Sequence, residues 1–70
     1  MNLKQYRNKA GLTQKELAKL TGIAESTIAM IESGKRKPSW HSMNRISKVL
    51  GISVQILFFN GGNDEEPDRK

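Results

Sequence analysis

Four glycines, at positions 11, 22, 34 and 51, cut the first 60 residues of this 70-residue chain into runs of sixteen residues or fewer. Each closes a helix-compatible run and stands just before a fresh start signal, the place where a helix end favours a residue that tolerates positive φ. The runs are NLKQYRNKA, TQKELAKLT, AESTIAMIES and SWHSMNRISKVL, with SVQILFF following the last glycine. This pattern predicts an all-α chain of five short helices without strands. Thr13 with Glu16 makes a capping box for the second helix, and Asn2 with Gln5 a weaker one for the first. Ser39 and Ser53 are suited to cap the last two helices. The third helix lacks such a residue. Its cap position is Ala24, and alanine there typically costs about 1 kcal/mol. Glu25, first inside the helix, offsets part of that cost by facing the positive end of the helix dipole.

A single domain of this size buries only about 60% of its unfolded surface, so its core has to be economical. The chain has no cysteine, so no disulfide or thiolate metal site can staple it. No apolar run approaches the roughly 18 residues of a membrane span, and the N-terminal MNLKQYRNKAG lacks a signal-peptide core. The expectation is a soluble cytoplasmic protein with no membrane association. Helical spacing assigns Leu3, Tyr6, Ala10, Leu17, Ala18, Leu20, Ile28, Ile31, Met43, Ile46, Val49 and Leu50 to the core, with Trp40 as a packing residue. Residues 1–60 hold ten Lys or Arg against three acids, whereas residues 61–70 hold two against four. A basic folded domain at 1–60 and a disordered acidic tail at 61–70 are therefore expected, and the basic part suits a polyanionic partner.

Residues 14–33, QKELAKLTGIAESTIAMIES, carry the most information. Two short helices can meet at a steep angle when the contact residue is small (Ala18), the turn accepts positive φ (Gly22) and the second helix buries a stripe (Ile28, Ile31). On a 100° wheel, Ala24 clusters with that stripe, while Ser26, Ala29, Met30 and Ser33 face outward, flanked by Glu25 and Thr27 at the N-terminal end. Glu32 falls near the inward side, where an unpaired carboxylate is costly. With Arg7, Gly11-Leu12-Thr13-Gln14, Glu16-Leu17-Ala18, Gly22-Ile23, Ile28, Ile31-Glu32, Gly34, Arg36, Pro38 and Leu50-Gly51-Ile52-Ser53, the chain resembles the phage-repressor and Cro-like helix-turn-helix proteins, the XRE family. The resemblance covers residues 3–59. It implies a compact five-helix, lambda-repressor-like domain that binds double-stranded DNA, usually as a homodimer, with the helix of residues 24–33 in the major groove.

It also implies an Arg7–Glu32 ion pair of structural role, and for Gln14 a phosphate contact that buttresses the reading helix. Base edges then fall to Glu25, Ser26, Thr27, Ala29 and Met30, and the backbone to Gln14, Lys15, Ser33, Lys35, Arg36 and Lys37. The apolar run Ile56, Leu57, Phe58 and Phe59 is the expected dimer interface, or a surface for a protein partner. His41 is the only histidine, and neither a phosphate loop nor a nucleophile motif is present. No metal, cofactor or enzymatic activity is therefore expected. The favoured reading is a repressor of a pseudo-palindromic operator. Its rivals are an antitoxin-like protein-interaction module with secondary DNA binding, and a transcriptional activator or controller protein.

Overall fold

The computed structural model describes residues 2–59, so the expected tail at 61–70 lies outside the described residues. Four α-helices follow one another, α1 (Leu3–Lys9), α2 (Gln14–Thr21), α3 (Glu25–Glu32) and α4 (Trp40–Leu50), before a short fifth helix of π type, Gln55–Phe59. No strand occurs among the described residues. All four glycines of the sequence pattern have positive φ. Two of them, Gly22 (φ 75°) and Gly51 (φ 68°), are left-handed C-caps whose N–H groups donate to the Ala18 and Ser47 carbonyls, each at 2.8 Å.

The helix starts follow local chemistry with one exception. Thr13 Oγ1 accepts from the Glu16 N–H at 3.0 Å while Glu16 Oε1 accepts from the Thr13 N–H at 2.8 Å, which completes the capping box. Ser39 Oγ accepts from the Ser42 N–H at 3.1 Å, and Ser53 Oγ from the Ile56 N–H at 3.3 Å. Asn2 does not cap α1. Its backbone departs from the extended cap conformation (φ −117°, ψ 14°), and its side chain instead donates to the Ile56 carbonyl at 3.2 Å. With the Asn2 N–H bonded to the Leu57 carbonyl at 2.9 Å, the start of the chain is tied to the fifth helix.

Leu3, Leu17, Ile28, Ile31, Met43, Ile46, Leu57 and Phe58 form the core, with Tyr6, Ala18, Val49 and Leu50 packed half-buried against it. Four expectations fail here. Ala10 is exposed because it is already the C-cap of α1. Leu20 is 59% exposed because α2 turns Leu17 and Thr21 inward, and Leu20 lies well off that stripe. Trp40 is 64% exposed, since the buried stripe of α4 runs through Met43 and Ile46. Ala24 is exposed because its cap backbone (φ −59°, ψ 141°) does not follow the helical wheel.

Candidate nucleic-acid interface

Helices α2 and α3 pack on each other around Ala18, Ile28 and Ile31, and α4 closes across α2. Thr21, the last residue of α2, is 3% exposed. Its hydroxyl donates to the Leu17 carbonyl at 2.8 Å and accepts from the Ile23 N–H at 3.3 Å, so one buried oxygen serves both sides of the turn. The next residue, Gly22, reverses the chain, and α3 begins at Glu25.

The inner end of α3 is anchored by a buried charge pair. Arg7 Nε donates to Glu32 Oε2 at 2.7 Å and Nη2 to Glu32 Oε1 at 3.1 Å, with the two side chains 8% and 3% exposed. The remaining guanidinium nitrogen, Nη1, donates to the Leu12 carbonyl at 2.7 Å. Gln14 Nε2 donates to Glu32 Oε1 at 3.0 Å, which makes Gln14 the link between the start of α2 and the end of α3. Burial by itself pushes the Glu32 carboxyl up. The hydrogen bonds from Arg7 and Gln14 and the charges of Arg7 and Lys4 outweigh it and hold Glu32 below the usual carboxylate range. The hydrogen bond to Glu32 chiefly raises Arg7 further, against the opposing effect of burial.

The outward residues divide by depth. Glu25 and Ser26 are exposed at the N-terminal end of α3, and Thr27, Ala29 and Met30 are half-buried behind them. Ser33, Lys35, Arg36 and Lys37 are exposed, as is Lys15 on α2. The basic loop is folded back on the helix it follows. The Met30 carbonyl accepts from the Lys35 N–H at 2.9 Å, from the Arg36 N–H at 3.3 Å and from the Ser33 hydroxyl at 3.1 Å. Ser33 therefore spends its only hydroxyl proton within the protein, which leaves it an acceptor rather than a donor toward a phosphate. Three cations are thus brought beside a face of small polar groups and methyls.

The segment 56–59 does not act as one surface. Leu57 is fully buried and Phe58 is 9% exposed, because the fifth helix closes the core over α1. Those two belong to the interior and cannot form a free dimer face. Ile56 (36%) and Phe59 (65%) remain outward. Phe58 and Phe59 line an open groove of about 350 Å³ with Lys37, Pro38 and Met43. Among the described residues no group of three or more His, Cys, Asp or Glu is placed to hold a metal, and no helix is long and apolar enough to cross a membrane.

Two residues that shape the turn of the motif had no sequence signal strong enough to single them out. Thr21 reads as an ordinary polar helix end, and Arg45 as one more surface cation on α4. The structure places Arg45 Nη1 2.8 Å from the Thr21 carbonyl, which it hydrogen-bonds across the turn.

Comparison with known proteins agrees with this arrangement. Residues 3–57 match the family described as Helix-turn-helix. The chain is 38% identical over 64 residues to an uncharacterized HTH-type transcriptional regulator of Archaeoglobus fulgidus, covering 91% of this chain and 89% of that one. It is 32% identical over 65 residues to the HTH-type transcriptional regulator PuuR of Escherichia coli, where 93% of this chain spans 35% of the longer protein. A chain in the solved complex of the SinR and SinI proteins superimposes with a TM-score of 0.79 at 35% identity, covering 84% of this chain and 58% of that one.

Proposed function

The chain belongs to the phage-repressor and Cro-like helix-turn-helix family of transcriptional regulators, and from that premise we propose that it is a repressor binding a pseudo-palindromic operator as a homodimer. It acts in the cytoplasm by occupying DNA, with no catalytic step. The observation that carries this reading is the outer side of α3, where Glu25, Ser26, Thr27, Ala29 and Met30 stand free of the core stripe beside the exposed Lys35-Arg36-Lys37 loop. The loop supplies non-specific phosphate affinity, together with Lys15 and the second amide hydrogen of Gln14. The helix supplies discrimination. Methyl groups of Thr27, Ala29 and Met30 suit thymine methyls, and the Glu25 carboxylate suits a cytosine amino group. Since α3 carries no Arg, Asn or Gln, a large share of selectivity would come from DNA deformability.

Selection of bound fragments from random duplex DNA tests the proposal directly. The expected product is a pair of inverted half-sites about 34–36 Å apart along the helix axis. Roughly eight phosphates neutralised per dimer predict a slope near −7 in log K against log salt. A slope near zero, or selected fragments without two-fold symmetry, sinks this reading. A second reading rests on Ile56 and Phe59, exposed beside the apolar groove. There the surface engages a different protein and DNA binding is secondary. Recovery of a stable heteromer, with no homodimer in sedimentation, favours it.

A further inference from the structure

The turn between α2 and α3 is held from outside the motif. Arg45, the middle residue of α4, sends Nη1 to the Thr21 carbonyl at 2.8 Å, one of the α2 carbonyls that has no partner within its own helix. A guanidinium there also faces the negative end of the α2 dipole. Its Nε donates to His41 Nε2 at 3.1 Å, one helical turn earlier, so the arm is braced on α4 before it reaches the turn. A Cβ built on Gly22 would stand 2.9 Å from Arg45 Nη1, so a side chain there would push the tip of the arginine aside. Glycine is required at this position first by its left-handed backbone.

From this geometry we infer that Arg45 is a positioning residue for DNA discrimination, setting the angle at which α3 leaves the turn without itself touching DNA. The inference rests on the operator-binding reading above. It follows because α4 is the only element that reaches the turn with a charged group among the hydrogen bonds of the described residues. The other anchor of α3, the Arg7–Glu32–Gln14 cluster, holds the opposite end of that helix. At the N-terminal end the core holds Ile28 and the Thr21 hydroxyl holds Ile23, so the position of Thr21, which Arg45 fixes through its carbonyl, passes to the residues that reach base edges.

The test compares wild type, Arg45→Gln and Arg45→Lys in the full chain. Affinity is measured for the selected operator and for a scrambled duplex, and amide exchange is measured on the free protein. Arg45→Gln is expected to reduce operator affinity by about tenfold, the size of one charge-assisted hydrogen bond, with scrambled-duplex affinity and salt slope unchanged. Exchange at Gly22 and Ile23 quickens while that at Ile46 does not. Arg45→Lys, which keeps the cation but not the brace to His41, falls between the two and serves as the informative variant where Arg45→Gln does not fold. Equal losses on both duplexes, with a slope shallower by about 0.9, would make Arg45 a phosphate contact and overturn the inference. Uniformly faster exchange, or no local change at the turn, overturns it as well. A wild type that does not distinguish the two duplexes refutes operator binding instead, and the exchange data still decide whether Arg45 holds the turn.

Discussion

Glu32 accepts three hydrogen bonds from two side chains, and these decide its energetics. Removing one partner of a buried pair leaves an uncompensated charge, so Glu32→Ala is expected to cost about 3–5 kcal/mol, a large part of a small domain's stability. Chemical denaturation of the two proteins measures it, and a loss under about 1 kcal/mol contradicts the role assigned here. The same carboxylate gives a pH signature. Its value in the folded state is lowered from the ordinary 4.5, so its contribution is complete above that value and is lost as pH falls through the lower folded one. The Arg7 guanidinium is raised still further by its bond to Glu32 and adds nothing to the acid limb. Melting temperatures between pH 7 and pH 3 should therefore fall more steeply for wild type than for Glu32→Gln; parallel curves would exclude this linkage. The pair was legible in the sequence through the family resemblance and the inward wheel position of Glu32. Gln14's bond to the same oxygen was legible only as a general buttress. No local pattern marked Thr21, a polar residue whose burial depends on its bonding the turn it begins.

At the scale of one element, α3 combines a weak start with a demanding task. Ala24 offers its first turn no side-chain acceptor, and its exposed backbone lies at φ −59°, ψ 141°. Ala24→Ser should stabilise the domain by about 1 kcal/mol and raise Tm by about 4–8 °C. An unchanged Tm means that the first turn is satisfied some other way. In that better-capped background, Glu25→Gln separates the acid's two roles: a changed preference at one base pair in fragment selection identifies a reader, and unchanged preference identifies a dipole partner only. Helix starts and stops were readable because caps act over three or four residues. Which apolar residues turn inward was less so. Leu20 and Trp40 sit at helical spacing from true core residues, yet their burial depends on where the neighbouring helices lie.

Across the whole molecule, the fifth helix joins the two ends of the described chain and divides its own apolar run between core and surface. Leu57→Ala should cost about 2–5 kcal/mol through the cavity it leaves. Phe59→Lys should alter stability by no more than about 0.5 kcal/mol, as for a surface site. If the proposed homodimer uses this face, Phe59→Lys also shifts sedimentation to a monomer and lowers operator affinity; a dimer of unchanged strength places the contact elsewhere. Sequence alone determined the number of helices, their turns, every cap except that of α1, the basic character of the loop after α3 and, through the family resemblance, the pairing of Arg7 with Glu32. These depend on short-range backbone chemistry, or on a motif whose spacing already encodes one packing. Only the tertiary structure decided that Leu57 and Phe58 are interior, that Leu20 and Trp40 are not, and that Arg45 crosses from α4 to the turn. Burial and long-range hydrogen bonds are properties of a neighbour's position, and a linear pattern carries the direction of a side chain without saying what lies in its path.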